Sequence, residues 1–335
     1  MANAPSSPYP PYRITPAVVR LVGEIGESLG NLKARTGAAM PRLSRINRIK
    51  TIQGTLEIEG NSLTLGQVTA VLEGRRVLAE PREIQEVRNA FAAYEKIPEL
   101  HPHSEKDLLT AHRLMMFGLV DELGRYRSGS VGVHGPEGVV HIAPQAKHVP
   151  GLMNKLFDWL KLTDEHPLIA ASVFHYEFEA IHPFQDGNGR VGRLWQTLML
   201  GKWNPVFNSL PVESMFRDNR SGYYDALNNC NKAGESTEFV EFALEVVRGA
   251  VEEAVRDQVS DQVSDQVDRL LEVLKEGALS AEEIMRKLQL KHRASFRKTC
   301  LIPAMKEGLV EMTQPDSPRS PSQRYRLTDK GRVRG

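Results

Sequence analysis

The sequence IHPFQDGNGRVGRL, residues 181–194 of 335, decides how the centre of this chain folds and what it can bind. Gly187, Asn188 and Gly189 tolerate the unusual backbone angles that a tight turn needs. The apolar run that follows, residues 191–200, predicts a helix, so the turn comes at a helix N-terminus. Unpaired backbone N–H groups and the positive end of the helix dipole both favour phosphate there. The stretch therefore predicts an anion-binding loop.

Four charged or titratable side chains in the same stretch suit a bound nucleotide. Arg190 and Arg193 are three residues apart, so they can share one helix face and clamp phosphate oxygens. Asp186, the one acid of the loop, suits a partial ligand for Mg²⁺, which keeps most of its waters and bridges nucleotide oxygens. His182 titrates near neutral pH and suits a general base. Each residue alone is more often structural, but their conjunction favours phosphate chemistry.

The composition is typical of a globular protein, with 41% hydrophobic and 25% charged residues in a length that allows two or three domains. No window approaches the ~18 apolar residues of a membrane span. Residues 1–16 lack the basic and apolar regions of a secretory signal, so we expect a cytoplasmic protein without membrane contact. Cys230 and Cys300 are far apart in sequence without CxxC spacing, which predicts neither a zinc site nor a disulfide framework.

Helical spacing of apolar residues dominates the chain and predicts a mainly α fold. Residues 167–181 predict a buried helix with His182 at its C-terminal end. The predicted segments are a flexible arm at 1–16, a helical region at 17–104, a core at 105–250, a helical linker at 251–267 and a further domain at 268–335.

The clearest strand signal is VGVHGPEGVVHI, residues 131–142, where a Gly-Pro-Glu-Gly turn separates two valine-rich runs. This pattern predicts a β-hairpin. An isolated hairpin leaves open edges, and one use of such an edge is to hold an extended segment of a partner by strand addition. A plain surface hairpin is an equally good interpretation.

The end of the chain predicts a winged helix-turn-helix domain. Valines recur every four residues between 251 and 267, which predicts a solvated connecting helix because a period of four drifts around a helix. Three helical patterns and two strand-like pieces around a Pro/Ser-rich loop follow. From Arg286 onward there are thirteen basic and four acidic residues, so DNA is one candidate partner and another protein is the alternative.

The stretch HPFQDGNGRVGR, residues 182–193, resembles the signature HPFx[D/E]GNGRxxR of Fic-domain proteins at every position, with Gln185 in the variable one. The hairpin occupies the place of the Fic flap, and RSGYYDALNNCN, residues 220–231, resembles the adenine-side segment of the family. A C-terminal winged module is also common in bacterial members. The resemblance covers most of the chain and implies a Fic-type helical bundle with a small hairpin flap, plus the winged domain.

The resemblance implies an adenylyltransferase that moves AMP from ATP to a Ser, Thr or Tyr hydroxyl of a target protein, with Mg²⁺ as cofactor and pyrophosphate as product. His182 would accept the hydroxyl proton and Asp186 would hold the metal. The amides of residues 187–189 would form the anion hole, and Arg190 and Arg193 would bind the outer phosphates. Self-modification is expected, and a homodimer is possible for this family.

The ATP-binding set implied by the resemblance extends to the flap and the nucleoside side. It comprises Glu59, Val139, Val140, His141, Asp186, Gly187, Asn188, Gly189, Arg190, Val191, Gly192, Arg193, Tyr223, Tyr224 and Asn231. Kinase-like relatives carry lysine at the position of Gly189, so glycine here favours AMP transfer.

A second motif lies before the core. TLEIEGN, Thr55 to Asn61, resembles the [S/T]xxxE[G/N] inhibitory motif of Fic proteins whose inhibitory helix is N-terminal. By this resemblance Glu59 would pair with Arg193 and keep the γ-phosphate from docking productively.

Other classes of function fit the sequence less well. A DNA-binding transcriptional regulator with a nucleotide-sensing Fic core is the main alternative, although the intact core motif argues against a degenerate enzyme. A metal hydrolase built on His175, His182 and Asp186 fails on spacing, and no GxxxxGK[ST] phosphate loop occurs.

Overall fold

A computed structural model describes residues 9–35, 40–135, 138–318 and 320–334. The fold is mainly α-helical, as the apolar periodicity predicts, and divides into two compact units, Met1–Glu253 and Ala254–Gly335. Within the described ranges, no helix is both long and apolar enough to cross a membrane.

The first unit is built from ten helices and one hairpin in the residues described. The helices are α1 Pro16–Arg35, α2 Met40–Ile58, α3 Leu65–Leu72, α4 Pro81–Glu95, α5 Glu105–Met115, α6 Val149–Leu162, α7 Pro167–Ile181, α8 Asn188–Trp203, α9 Val212–Asp218 and α10 Arg220–Ala233. The hairpin strands β1 Gly132–Gly135 and β2 Gly138–Ile142 pair antiparallel, with Val133 opposite His141. A further helix, α11 Thr237–Leu274, begins in the first unit and ends in the second; the valine repeat of residues 251–267 lies inside it.

Helices α7 and α8 form the centre of the first unit. Helix α7 is mostly apolar and is buried on nearly every side, and it packs against both α6 and α8. Trp195 on α8 is fully buried, and its indole N–H donates to the Pro102 carbonyl at 3.1 Å. This central pair holds the end of α7 and the start of α8 at one place, where the anion-binding loop joins them.

A glycine lets α2 approach α9 closely. A Cβ atom at Gly54 would lie 2.9 Å from the backbone nitrogen of Ser214, so only glycine fits this contact. The contact fixes the path of α2 and therefore the position of Glu59, which follows the last residue of that helix.

Residues 9–15, which belong to the segment interpreted as an arm, contact the first unit. The Tyr12 hydroxyl donates to Glu165 at 3.0 Å, and the Pro11 carbonyl accepts the Ser236 N–H at 2.9 Å. The first eight residues of that segment lie outside the described part of the chain.

The second unit has a hydrophobic core of its own, which includes Leu270, Phe296 and Leu309. Its elements after α11 are α12 Ala281–Lys287, α13 Arg293–Phe296, a π-helical turn Arg297–Leu301, α14 Ile302–Lys306, β3 Val310–Met312, β4 Tyr325–Leu327 and α15 Asp329–Arg334. Strands β3 and β4 pair antiparallel, and Leu279 bridges Tyr325 on the other side of β4. The order of helices and strands agrees with a winged helix-turn-helix, which stays a prediction.

Candidate active site

His182 ends α7 in the left-handed conformation, with φ 50° and ψ 62°. Its backbone N–H still donates to Phe178, at 2.9 Å, so the residue is held at the helix terminus. The ring Nδ1 lies 3.3 Å from the Glu179 carbonyl oxygen. Because a carbonyl can only accept, the contact assigns the ring proton to Nδ1 and the lone pair to Nε2. That tautomer has the basic nitrogen a general base needs.

The loop after His182 is shaped by Gly187 and Asn188. Gly187 has φ +88°, and a Cβ atom there would lie 2.5 Å from the sulfur of Met116. The Asn188 side chain accepts from the Phe184 N–H at 2.8 Å and donates to the Phe184 carbonyl at 2.9 Å. Helix α8 begins at Asn188, and in the described ranges the amides of Asn188 and Gly189 find no hydrogen-bond acceptor. The loop therefore presents free donors at a helix N-terminus, as an anion site requires.

Arg127 holds the carbonyls around this loop. Its guanidinium donates to the backbone oxygens of His182 at 2.7 Å, Pro144 at 2.6 Å and Gly129 at 2.9 Å. The residue is only 3% exposed, and burial lowers the pKa of its guanidinium. Arg127 therefore joins the end of α7 to the segments before and after the hairpin.

His112 holds the same loop from α5. Its Nδ1 accepts the Gly124 N–H at 3.0 Å, so the proton is on Nε2, which donates to the Asp186 carbonyl at 3.1 Å. The ring stacks on Phe184 with centroids 3.8 Å apart. Burial lowers the pKa of His112 to about 4, which keeps the ring neutral and preserves this pattern of donor and acceptor.

Arg193 is buried and bound to the motif of residues 55–61. Its guanidinium donates to the hydroxyl and the carbonyl of Thr55, both at 3.0 Å, and to Glu59 Oε1 at 2.7 Å. Burial opposes ionisation of Glu59, yet Arg193 and then Arg190 hold the pKa of that carboxyl below its ordinary value. Nη1 of Arg193 is a buried donor without a hydrogen-bond partner in the described part of the chain. The structure thus brings together the two motifs that the sequence placed over a hundred residues apart.

Arg190 is held by two acids. It contacts Asp186 at 2.9 Å and Glu86 of α4 at 3.5 Å. The other oxygen of Glu86 accepts from the Asn61 side chain at 2.9 Å, and Arg82 lies 3.4 Å from Asp186. The end of the 55–61 motif is therefore linked through Glu86 to Arg190.

A second buried acid lies behind α8. Glu179 is 8% exposed, its Oε1 has no hydrogen-bond partner among the described residues, and burial raises its pKa to about 8. Gly192 makes room for it, because a Cβ atom there would lie 2.6 Å from that oxygen. Val191 and Gly192 are both buried, and Gly192 packs against Glu179, His175 and Phe178 of α7.

The predicted nucleoside residues lie on α10. Tyr223 is buried, and its hydroxyl lies 3.2 Å from Nε2 of His175. Tyr224 is half-buried beside it, with Arg220 over its ring at 5.8 Å. Asn231 accepts from the Tyr176 hydroxyl at 3.1 Å. Tyr224 therefore has the accessible ring, and Tyr223 packs underneath.

The flap residues Val139, Val140 and His141 lie on β2, with Val139 opposite His134 and His141 opposite Val133. Strand β2 runs beside α10, so the backbone of the predicted flap and the predicted nucleoside residues come from neighbouring elements.

Comparison with known proteins agrees with this geometry. A model of the Fic/DOC family matches residues 102–200, and a model of the C-terminal domain of Fic-like proteins, named for filamentation induced by cAMP, matches residues 265–328. A crystal structure of a Fic family protein from Desulfovibrio desulfuricans G20 is 56% identical, covers 96% of this chain and 99% of its own, and gives a TM-score of 0.72. The chain belongs to the Fic family.

More distant Fic proteins share part of the chain. Protein adenylyltransferase Fic of Aedes aegypti is 31% identical over 62% of this chain and 42% of its own length. Protein adenylyltransferase fic-1 of Caenorhabditis elegans is 32% identical over 67% of this chain and 44% of its own. This chain thus spans less than half the length of these curated relatives. A Fic-1 structure from C. elegans, 22% identical with a TM-score of 0.58 over 72% of this chain and 74% of that one, shares the fold.

Among the described residues of this Fic site, Asp186 is the residue expected to hold Mg²⁺. No group of three or more His, Cys, Asp or Glu side chains able to hold a metal occurs in the ranges described. Asp186 is 41% exposed, and its Oδ1 accepts from the Gly187 N–H at 2.6 Å and from Arg190. A single half-exposed carboxylate beside an anion loop fits Mg²⁺, which takes one or two carboxylates and completes its shell with waters and phosphate oxygens.

Four supporting residues of the Fic site were not singled out from the sequence: Glu86, His112, Arg127 and Glu179. Each acts through a partner far away along the chain or through burial, so no local pattern marks it. In the sequence alone, each of these residues looks like an ordinary charged or polar side chain on the protein surface.

Proposed function

We propose that this chain is a protein adenylyltransferase that transfers AMP from ATP to a Ser, Thr or Tyr hydroxyl of a target protein. The observation that carries the proposal is the combination of the free loop amides after His182 with the buried Nη1 of Arg193, which has no hydrogen-bond partner among the described residues. Unsatisfied buried donors are costly, and phosphate oxygens satisfy them. The names of the curated relatives support the same reaction.

In this reaction the target hydroxyl oxygen attacks the α-phosphorus of ATP, and the bond to the β-phosphate oxygen breaks. Nε2 of His182 accepts the hydroxyl proton, and pyrophosphate leaves. The amides of Asn188 and Gly189 stabilise charge on the phosphate oxygens, since fixed donors at a helix N-terminus need no reorganisation during the step. Mg²⁺, held by Asp186, would neutralise phosphate charge when bound.

The described contacts support a resting state in which Glu59 blocks Arg193. The 2.7 Å ion pair occupies the guanidinium that would bind the outer phosphate. A hydrogen bond to a charged partner contributes roughly 1.5 to 3 kcal/mol, and each ~1.4 kcal/mol corresponds to tenfold in binding. Release of Glu59 therefore increases productive ATP binding by about ten- to a hundredfold.

The test is transfer of label from α-labelled ATP with Mg²⁺ to the protein itself or to lysate proteins. Glu59→Gly is expected to raise labelling by about ten- to a hundredfold over the wild type. Glu57→Gly is the matched control: Glu57 lies two residues earlier, contacts Arg217 at 3.4 Å and does not touch Arg193. It removes the same charge, and it should leave labelling unchanged.

Each outcome decides a separate part of the proposal. Equal labelling by Glu59→Gly and Glu57→Gly would contradict inhibition by Glu59. Transfer that persists in Glu59→Gly with His182→Ala would remove His182 as the base. Absence of label in every variant, with ATP shown to bind by calorimetry, would contradict adenylyl transfer. Mass spectrometry of lysate proteins that gain an adenylate identifies the target.

A further inference from the structure

The second unit exposes a cationic helix surface that the adenylyltransferase reaction does not use. Helix α12 ends at Lys287, and Gln289, with φ 56°, turns the chain into α13. From Arg293 to Lys306 the backbone stays helical through α13, the π-helical turn and α14. Two helices joined by a tight turn thus precede the β3–β4 pair.

One side of this second helix is anchored in the core. Phe296, Cys300, Leu301 and Ala304 are all at most 2% exposed. The Thr299 hydroxyl donates to Gln266 of α11 at 2.5 Å, which ties the same helix to the long helix of this unit. The helix is therefore held rigidly with its other side outward.

The helix and the turn before it carry four exposed cations, which we call the basic face: Lys291 in the turn, and Arg293, Arg297 and Lys298 on the helix. Within the ranges described, none of the four has an acidic partner closer than 4 Å.

Three other cations of the unit are paired with acids. Lys287 pairs with Glu276, Arg324 with Glu283 at 3.3 Å and Arg326 with Glu311 at 2.7 Å. Arg293 and Arg297 are also four residues apart on one helix, where like charges repel by a few tenths of a kcal/mol. Such a set of unneutralised charges is stabilised by a polyanion.

We propose that the basic face binds duplex DNA, with the helix that begins at Arg293 in the major groove and the four cations on phosphates. Duplex DNA carries one negative charge per about 1.7 Å of its axis, which matches a row of cations. The exposed residues between the arginines, Ala294 and Ser295, are small and allow close approach to base edges.

The geometry favours DNA over RNA and over a protein partner. The major groove of B-form DNA, about 12 Å wide, admits a helix, whereas that of A-form RNA is deep and narrow. A protein-binding core is depleted of charge and rich in aromatic residues. On this helix Ile302, four residues after Lys298, is the exposed large apolar residue among those described, and the exposed cations outnumber it.

The test is fluorescence anisotropy of a labelled random-sequence DNA duplex with the full chain at several salt concentrations. We expect non-specific binding with Kd on the order of 10⁻⁶ to 10⁻⁴ M and a log–log salt slope of about −3 to −4, as for three or four phosphate contacts. The triple variant Arg293→Glu, Arg297→Glu and Lys298→Glu should bind at least about tenfold more weakly and flatten the slope.

The matched control is Arg88→Glu, Lys106→Glu and Lys232→Glu, which changes the net charge equally through exposed cations of the first unit. This control should keep the wild-type dependence of DNA affinity on salt concentration. Circular dichroism checks folding, and if the glutamate triple misfolds, the same three positions are changed to glutamine, which should still reduce the slope by about 2 to 3.

Three results would overturn the proposal. The first is that the wild type does not bind DNA at low salt. The second is that both triple variants lose the same amount of DNA affinity. The third is that the wild type binds duplex RNA as tightly as duplex DNA. All of these readouts are independent of adenylyl transfer.

Discussion

His112 illustrates how one neutral histidine can set the shape of an anion site. Its two ring nitrogens bond to Gly124 and to the carbonyl of Asp186, and only the neutral ring with its proton on Nε2 satisfies both. Because Asp186 is also the proposed ligand of Mg²⁺, a change in this ring affects the loop that orients the carboxylate. Arg127 provides the same support for the backbone of His182.

The stability of the first unit should therefore fall in acid in a way that depends on His112. Its pKa is lowered to about 4 in the folded chain, compared with about 6.5 unfolded, so stability is fully present above pH 6.5 and is lost as pH falls towards 4. At about 1.4 kcal/mol per pKa unit, the loss is about 3 kcal/mol.

This prediction is measured by denaturant unfolding followed by tryptophan fluorescence, since all three tryptophans lie in the first unit. Glutamine in His112→Gln cannot take up the proton. The difference in unfolding free energy between the wild type and this variant should therefore become smaller as the pH falls from 6.5 to 4. A gap that stays constant over this range would show that His112 is not held neutral.

At the scale of elements, two helices place acids on the two arginines of α8. Helix α2 delivers Glu59 to Arg193, and α4 delivers Glu86 to Arg190. Asn61, the last residue of the 55–61 motif, connects the two, because its side chain bonds to Glu86. The close contact of α2 with α9 at Gly54 fixes this geometry from the other side.

Glu86→Gln should consequently raise basal labelling from α-labelled ATP, since the neutral amide holds Arg190 less tightly while keeping a bond to Asn61. A partly exposed ion pair contributes about 0.2 to 1 kcal/mol, so we expect an increase of up to about fivefold, smaller than for Glu59→Gly. Glu80→Gln removes the same charge at the start of α4, where the side chain forms no cap, and should have no effect. Labelling at or below the wild-type level in Glu86→Gln would contradict a role for this acid in restraint.

At the scale of the whole molecule, the two units have separate cores joined by the continuous helix α11. Phe296 is 1% exposed in the core of the second unit. Truncation of a buried phenylalanine costs roughly 3 to 5 kcal/mol. If the units unfold separately, this loss is confined to the second unit.

In Phe296→Ala, far-ultraviolet circular dichroism should therefore show a loss of helix at lower denaturant concentration than in the wild type. The unfolding transition reported by tryptophan fluorescence should not shift. Phe174→Ala, in the buried face of α7, is the counterpart and should shift the tryptophan transition instead. A single transition that both probes report and both variants shift would show that α11 makes the units one cooperative body.

Local signals in the sequence determined a good part of this protein. The helix expected over residues 167–181 occurs as Pro167–Ile181, because its apolar positions and the left-handed residue that ends it are properties of a short segment. The same holds for the turn at Gly187 and for the paired strands around residues 131–142. The anion loop could be predicted because glycine, asparagine and helix N-terminus chemistry all lie within a dozen residues.

Apart from the pair of Glu59 with Arg193, which the family resemblance implied, only the tertiary structure decided which charges meet. Glu86 and Arg190 are separated by 104 residues, and Arg127 and His182 by 55, so no period or spacing relates them. The raised pKa of Glu179 and the lowered pKa of His112 likewise come from burial, which depends on how α7, α8 and α5 pack. Neighbouring residues determine short-range backbone preferences. Desolvation and ion pairing depend instead on distances that exist only once the chain has folded.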